Sequence, residues 1–247
     1  MAGFLILGAT GSVGSRLARR LIENDCSVFI AARSADRLES LASEFDCPSG
    51  LVDASDPGSF IRCFEEAVDE FGEIAGVANC IGSLLLKPAH TTTDEEFRAT
   101  INANLFSAFA TARSAGQTMK RSGGSVVLVS SAAARIGIPN HEAIAAAKAG
   151  IEGLTVSAAA SYAGRGIRFN AVAPGLTKSE MTRHIWENNA SAEASERMHA
   201  LRRLGEPDDV AAMIHWLLSS ESSWVTGQVF GVDGGLSSVL GRSKVSR

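Results

Sequence analysis

The amino-terminal segment constrains the fold most strongly, because a short apolar strand runs directly into a glycine-rich loop. The apolar segment Phe4–Leu7 is followed by three evenly spaced glycines: Gly8, Gly11 and Gly14. Behind this loop, apolar residues recur every fourth position: Val13, Leu17 and Leu21. That period predicts a helix that starts at the last glycine. A strand that leads through a glycine loop into a helix points backbone N–H groups at an anion.

The flanking strand and helix favour a dinucleotide-binding loop over a tight turn that merely happens to be rich in glycine. We therefore predict a parallel α/β sheet whose first loop holds a dinucleotide phosphate. The predicted cofactor contacts in this loop are Gly8, Thr10, Gly11, Ser12, Val13 and Gly14.

The second predicted strand, Ser27–Ala31, indicates which dinucleotide binds. It ends in Ala32, Arg33 and Ser34. A carboxylate at this point would bind the ribose hydroxyls of NAD, whereas an arginine can pair with the 2′-phosphate of NADP. Because Ala32 has no carboxylate, the sequence favours NADP over NAD, with Arg33 and Ser34 as contacts. The alternative is that Arg33 is simply a solvated arginine near a helix start.

Two further strands are predicted to end in polar residues at the same edge of the sheet. Gly50–Val52 leads into Asp53 and Ala54, and the next strand leads into Asn79 and Gly82. Parallel strands present their carboxyl ends to ligands, so all four residues are candidate cofactor contacts. Asp53 would accept a hydrogen bond from the adenine amino group, or it would cap the helix that follows.

An asparagine in an apolar neighbourhood marks the next helix, which is predicted over Asp94–Lys120. Asn104 lies beside its apolar face, and asparagine is disfavoured in the middle of a helix. A buried amide needs hydrogen-bond partners. Asn104 is therefore expected either to tie backbone segments together or to serve the site.

The fifth strand and the helix after it are expected to bring a serine and a lysine together. Val126–Val129 is apolar at consecutive positions, as in a strand covered on both faces, and Ser131 follows at its carboxyl end. Lys148 follows on an alanine-rich helix that packs back over the same edge. Position 144 is one helical turn earlier and shares the face of Lys148, but it is Ile144.

A sixth strand, Arg168–Val172, leads into Pro174, Gly175 and Thr177, which are further candidate cofactor contacts. Residues 178–203 are rich in polar side chains and are predicted to form a lid over the substrate. A last helix and a last strand then complete the sheet. The sequence shows no linker or charge block, so we predict one domain over 1–247.

Composition narrows the class of partner to small molecules. The 247 residues carry a formal net charge of −4 and are 45% hydrophobic, so neither nucleic acid nor an anionic membrane is expected. Neither a long apolar run nor a signal sequence is evident, and no metal site is expected. The four cysteines are too widely spaced for a Cys-x-x-Cys pair, and most adjoin apolar segments. Free thiols and a reducing cytoplasmic location are therefore expected.

At these positions the chain resembles the classical short-chain dehydrogenase/reductase (SDR) family over Gly3–Ser238. The segment from Asn79 to Gly82 resembles the family's Asn-Asn-Ala-Gly motif, and Asn104, Ser131 and Lys148 match its helix asparagine, catalytic serine and catalytic lysine. The resemblance implies a single-domain, doubly wound parallel sheet of the Rossmann type with helices on both faces. It also implies hydride transfer between nicotinamide and a carbonyl or alcohol substrate, and a homo-oligomer of the tetrameric kind.

Two departures from the family pattern affect the expected chemistry. Ser12 stands where the second glycine of the usual loop motif lies, which should perturb cofactor affinity without abolishing binding. Ile144 stands where the family's Tyr-x-x-x-Lys motif has its tyrosine. In the family, that phenol donates or accepts the proton on the substrate oxygen, the lysine lowers its pKa and binds the nicotinamide ribose, and the serine polarises the carbonyl. Isoleucine can transfer no proton.

Three other groups are candidates to transfer the proton in place of the phenol. Tyr162 is the only tyrosine in the chain, but it would lie roughly 27 Å beyond Ile144 along a continuous helix. His141 is one turn before Ile144 and has a suitable side chain, although such a histidine is more often at the surface. Lys148 acting through a water molecule is a comparable alternative.

Three hypotheses about function follow from this departure. The leading one is an NADP-dependent reductase with weakened or altered acid catalysis. The second is a catalytically silent nucleotide-binding protein used for sensing or assembly. The third is an ordinary reductase whose tyrosine was replaced by engineering. The sequence does not identify the substrate.

Overall fold

Short apolar segments, many of them β-branched, form seven parallel strands in the computed structural model, which describes residues 2–240. The strands are β1 Gly3–Leu7, β2 Val28–Ala32, β3 Ser49–Leu51, β4 Ile74–Asn79, β5 Gly124–Val129, β6 Ile167–Pro174 and β7 Val229–Val232. The helices are α1 Ser12–Ile22, α2 Ala35–Phe45, α3 Pro57–Phe71, α4 Asp94–Ile101, α5 Ser107–Thr118, α6 Glu142–Tyr162, α7 Arg183–Trp186, α8 Asn189–Met198 and α9 Pro207–Leu218.

The strand order places a crevice beside the first strand. The strand order in the sheet is β3-β2-β1-β4-β5-β6-β7. Strands β2 and β3 therefore lie on one side of β1, and β4 to β7 lie on the other side. Leu7 at the end of β1 pairs with Ala31 of β2 on one side and with Asn79 of β4 on the other. In open parallel sheets, ligands bind at this switch point, outside the carboxyl ends of the strands. The predicted doubly wound, single-domain Rossmann sheet is confirmed.

Helices cover both faces of the sheet, so the strands are apolar at consecutive positions. On one face, Leu5 packs with Phe60 and Phe64 of α3 and with residues of α5 and α6. On the other face, Ile6 packs with Leu17 of α1 and Ile214 of α9. Neighbouring residues of β1 therefore enter two different cores. This burial holds the carboxyl ends of the strands in fixed positions, where the candidate site lies.

Two predicted helix boundaries differ from the structure. Helix α1 begins at Ser12 rather than at Gly14, so the helix amino terminus lies within the glycine loop. The helix predicted over Asp94–Lys120 is divided into α4 and α5 by a π-helical turn, Asn102–Phe106, and it ends at Thr118. A π-turn adds one residue locally and is often found at functional sites. Asn104 lies in this turn.

The expectation that the chain has no long apolar run was wrong for the segment that contains α6. The segment Glu142–Arg165, which contains α6, is long and apolar enough to cross a membrane by length and composition. One side of this helix is buried, including Ile144, Lys148 and Ile151. A helix packed on a sheet in this way is weak evidence for a membrane span.

Candidate active site

A cavity of about 660 Å³ lies at the carboxyl ends of β1, β4, β5 and β6. It brings together the glycine loop from Thr10 to Gly14 and most of the polar residues predicted from the later strands. Those predicted residues are Gly82, Asn104, Ser131, His141, Ile144, Lys148, Pro174, Gly175 and Thr177. Positions far apart in the sequence thus line one site, as the parallel topology requires.

Close backbone packing explains two glycines of the loop. Gly8 has a φ of +81°, which favours glycine, and its carbonyl accepts a hydrogen bond from the N–H of Gly11 at 3.1 Å. A Cβ at Gly14 would lie 2.4 Å from the Gly8 carbonyl oxygen, whereas one at Gly11 would approach the same oxygen only to 3.3 Å. The loop, which contains the first residues of α1, lines the cavity from Thr10 to Gly14. This arrangement fits the pyrophosphate of a dinucleotide.

Lys148 is held between the end of β5 and the cavity. Its side chain is only 7% exposed, and its Nζ donates a hydrogen bond of 2.8 Å to the carbonyl of Val129. Burial lowers the pKa of the Lys148 amine to about 8, while the nearby Cys80 acts weakly in the opposite direction. Among residues 2–240, the other two Nζ hydrogens have no acceptor, so they are available to a ligand.

The two serines after β5 have different roles. Ser130 donates to the Lys148 carbonyl and to the carboxylate of Glu152, each at 3.1 Å, and so holds α6 against the strand end. Ser131 accepts a hydrogen bond from the N–H of Ala133 at 3.2 Å, and its own hydroxyl proton has no acceptor among the described residues. Ser131 is therefore free to donate into the cavity.

Asn104 both ties backbone together and lines the cavity. Its amide nitrogen donates to the Ser83 hydroxyl at 3.0 Å and to the Thr100 carbonyl at 2.9 Å, and its oxygen accepts from the Ser83 N–H at 3.3 Å. Gly82 lies directly beside it: a Cβ there would be 3.0 Å from the Asn104 oxygen and 3.6 Å from Lys148 Nζ. The asparagine thus fixes the loop after β4 close to the lysine.

Comparison with known proteins agrees with this geometry. The family model described as Enoyl-(Acyl carrier protein) reductase matches residues 8–237. A 3-oxoacyl-[acyl-carrier-protein] reductase, FabG, of Thermotoga maritima is 36% identical over 242 residues, which cover 94% of this chain and 96% of the relative. The chain belongs to the short-chain dehydrogenase/reductase family. SDR proteins bind NAD or NADP.

Solved SDR structures share the whole fold. A short-chain dehydrogenase/reductase from Mycobacterium ulcerans superposes with a TM-score of 0.93 at 28% identity, covering 97% of this chain and 91% of the other. A putative gluconate dehydrogenase from Agrobacterium tumefaciens superposes with a TM-score of 0.91 at 27% identity, covering 97% of each chain. The similarity therefore extends over nearly the whole chain.

Ile144, which the sequence analysis assigned to the tyrosine position of the SDR motif, is 2% exposed. It lines the cavity together with Lys148 of the same helix and with His141, the N-cap residue of that helix. Tyr162, at the far end of α6, stacks on Phe169 in the core with ring centroids 5.5 Å apart, and it does not line the cavity. The only phenol in the chain is therefore remote from the lysine.

Several predicted cofactor contacts lie outside this cavity. Arg33 and Ser34 are exposed at the end of β2. Asp53 accepts from the N–H of Ser55 at 2.8 Å in a turn with Ala54, and the residue that caps α3 is Asp56, so the capping alternative for Asp53 was wrong.

Asn79 is 2% exposed and also lies outside the cavity lining. Its amide donates to the Thr111 hydroxyl at 3.0 Å, and its oxygen accepts from the N–H of Ile81 at 2.9 Å. The side chain thus ties β4 to α5 and shapes the loop that carries Gly82. The predicted contact between Asn79 and the cofactor stays a prediction.

Arg37 and His199 line the cavity and were not among the predicted site residues. Arg37 in α2 donates to the Thr10 carbonyl at 2.7 Å and so holds the glycine loop. His199, just after α8, is 3% exposed; its Nδ1 donates to the Ser195 carbonyl at 2.7 Å and its Nε2 accepts from the Leu176 N–H at 3.2 Å. Both residues make contacts between segments that are far apart in sequence, so their place in the site is hard to predict. Only the spacing of Arg37, one helical turn after Arg33, could have indicated its position near the cofactor loop.

Proposed function

We propose that the protein is an NADP(H)-dependent oxidoreductase that transfers a hydride between nicotinamide and a carbonyl or alcohol substrate, with weakened or altered acid catalysis. The observation that carries this proposal is the single cavity that joins the glycine loop to Ser131 and Lys148. SDR membership supports nicotinamide-dependent redox chemistry on a small molecule. The substrate carbonyl would lie beside Ser131, where apolar lid residues also face the cavity.

Each polar group of the cavity has a defined task in this proposal. When bound, NADP(H) supplies or accepts the hydride. The Ser131 hydroxyl donates to the substrate oxygen and polarises the carbonyl, and the buried Lys148 ammonium stabilises negative charge that develops there. Asn104 keeps the loop at Ser83 in place. Ile144 excludes water but contributes no proton, and the loss of a positioned acid typically costs about 10²–10⁴-fold in rate.

The lid is part of the proposal. Residues 178–203 fold into α7 and α8, and Met181, Ile185 and Met198 line the cavity. These apolar side chains favour a substrate with an apolar body next to its carbonyl. His199 anchors the end of the lid to the backbone after β6.

NADP is proposed over NAD because Ala32 brings no carboxylate to the end of β2 and two arginines, Arg33 and Arg37, are close in sequence to that point. Fluorescence titration of both reduced cofactors tests this preference. We expect NADPH to bind more tightly than NADH, and Arg33→Ala to weaken NADPH roughly tenfold because charge-assisted hydrogen bonds are lost. Arg113→Ala, which removes an exposed arginine on α5, is the control. Equal affinities for the two cofactors would refute the argument from Arg33.

A catalytically silent nucleotide-binding protein for sensing or assembly is the second candidate, and the buried Ile144 favours it. A panel of ketones and quinones assayed with NADPH separates the two functions. Turnover by the wild type supports the reductase. Tight NADPH binding without turnover of any substrate by wild type or Ile144→Tyr supports the silent protein.

We also propose that the protein is a cytoplasmic homo-oligomer, with the tetramer of the family as the model. Apolar side chains remain exposed on the helices that we expect to pair: Phe97 on α4 is 44% exposed, Phe109 on α5 is 50% exposed and Val156 on α6 is 56% exposed. Burial of such a surface in a second copy would remove it from water. Sedimentation that shows only monomer at micromolar concentration would refute the oligomer.

A further inference from the structure

Two histidines line the cavity, and they differ in whether a ring nitrogen is available. Both nitrogens of His199 are engaged, one by the Ser195 carbonyl and the other by the Leu176 N–H. His141 is half-buried, and only its Nδ1 is engaged, 2.8 Å from the Pro139 carbonyl. Among residues 2–240, Nε2 of His141 has no hydrogen-bond partner.

The Pro139 contact fixes the form of the His141 ring. A carbonyl oxygen only accepts hydrogen bonds, so Nδ1 of His141 must carry the hydrogen. In the neutral ring, Nε2 is then the basic nitrogen, and it is the nitrogen that gains and loses a proton. A histidine whose other nitrogen is held in this way is oriented for proton transfer.

The backbone presents this ring at the mouth of the cavity. Asn140 adopts a left-handed conformation with a φ of +64°, which ends the loop from β5 immediately before α6. His141 caps α6 by position, and its carbonyl accepts the N–H of Ala145 at 2.7 Å. The ring is therefore attached to the rigid end of a helix, and its partial exposure lets water exchange protons with it.

Helix geometry places the ring where a phenol at position 144 would reach. Residues 144 and 148 lie one turn apart on one face of α6, and His141 is the N-cap residue that immediately precedes this helix; all three line the cavity. Side chains on a helix lean toward its amino terminus, so a long side chain at position 144 covers the turn before it. That turn carries His141.

We propose that His141 is the proton donor and acceptor that replaces the missing tyrosine, with Nε2 as the reacting atom. This inference rests on the proposed reductase function. In the reduction, the carbonyl carbon gains a hydride from the reduced nicotinamide, which is oxidised, and the carbonyl π bond breaks. The oxygen gains the proton of the His141 imidazolium Nε2, and water then reprotonates the neutral ring. Lys148 remains an electrostatic partner and is held by the Val129 carbonyl.

Four variants test the proposal in steady-state ketone reduction: His141→Asn, Ile144→Tyr, the double variant, and His90→Asn as a control at an exposed histidine in the short turn Ala89–Thr91, outside the lid and the cavity lining. We expect His141→Asn to lower kcat roughly 100-fold in the wild-type background. In the Ile144→Tyr background the same change should cost less than about threefold, because the phenol takes over the proton. His90→Asn should leave the rate unchanged.

A measurement on the protein without cofactor supplies an independent readout. The ¹⁵N chemical shifts of the His141 ring distinguish the two neutral tautomers, and we expect Nδ1–H with an unprotonated Nε2. Added imidazole should restore part of the activity of His141→Ala and none of that of Lys148→Ala.

The outcomes separate this proposal from the proposed function. If His141→Asn turns over ketones as fast as the wild type, or if the Nε2–H tautomer dominates, His141 is not the donor and a water held by Lys148 takes its place. If the wild type binds NADPH but reduces nothing while Ile144→Tyr does, the His141 proposal is also overturned. If no variant binds NADPH, the reductase function itself fails.

Discussion

The glycine loop and the cavity-lining side of α6 belong to one cavity, but the loop contributes mainly backbone groups and the helix contributes side chains. The loop from Gly8 to Gly14 presents backbone, with close packing that leaves no room for a Cβ at Gly14. The face of α6 presents side chains, and its chemistry changes with each residue. In the proposed match to the family motifs, Ser12 replaces a glycine of the loop and Ile144 replaces the tyrosine of the helix, and only the second replacement would remove a reacting group.

This contrast explains how the chain can retain the fold and lose the tyrosine. Anion binding by backbone N–H groups tolerates a new side chain if the backbone path is kept. Proton transfer depends on one functional group at one place. Cofactor binding and acid catalysis are therefore expected to respond independently to substitution, and the following variants test that independence.

The largest effect is expected from substitutions on the cavity-lining side of α6. Ile144→Tyr should raise ketone reduction by about 10²–10⁴-fold if no other donor operates, and by less if His141 already does. Lys148→Ala in the Ile144→Tyr background should abolish the gain, since the lysine supports the phenol and the cofactor ribose in this family. Initial rates with NADPH measure both steps. A tyrosine variant slower than the wild type would show that Ile144 is not a loss.

The second effect concerns stability and follows from the buried Lys148. Burial lowers the pKa of Lys148 from its ordinary value of 10.5 to about 8 in the folded protein, so the unfolded chain binds more protons between these pH values. The free energy of unfolding should therefore rise between pH 8 and 10.5, by on the order of 3 kcal/mol relative to Lys148→Met. Urea denaturation of cofactor-free protein measures it, with Lys120→Met as the control for an exposed lysine. Parallel pH curves for wild type and Lys148→Met would contradict the burial of the charge.

A smaller effect is expected in the glycine loop. Gly14→Ala would place a Cβ 2.4 Å from the Gly8 carbonyl, so the loop must shift. We expect it to lower the free energy of unfolding by about 1–3 kcal/mol and to weaken NADPH binding. Gly11→Ala is the matched control, since its Cβ would lie 3.3 Å from the same oxygen. If both variants bind NADPH equally well, the close approach at Gly14 does not shape the site.

The sequence predicted the fold well because its signals are local and regular. Strands such as β1 and β5 are short apolar runs, and Gly8 with Gly14 marks the first turn. Motif spacing also placed Ser131 and Lys148 in one cavity. The division of the long helix at Asn104 escaped prediction, since a π-turn depends on tertiary contacts such as the Asn104 bonds to Ser83.

Side-chain partners were the least predictable feature. The hydrogen bonds of Asn79 to Thr111 and Ile81 depend on the packing of β4 on α5 and on the path of the next loop, which the sequence pattern does not specify. Nothing in the sequence distinguishes His199 from the other histidine of the lid, whereas the structure shows its hydrogen bonds to Ser195 and Leu176. For His141, the sequence predicted that it lies close to Ile144, whereas the orientation of its ring is known only from the structure.

The most direct test of the central contrast is a pair of NADPH titrations, one on the wild type and one on Ile144→Tyr, under identical conditions. The account predicts dissociation constants that agree within about threefold, because the phosphate contacts come from the loop at Gly8 to Gly14 and owe nothing to position 144. A wild type that fails to bind NADPH, while Ile144→Tyr binds it, would contradict the account.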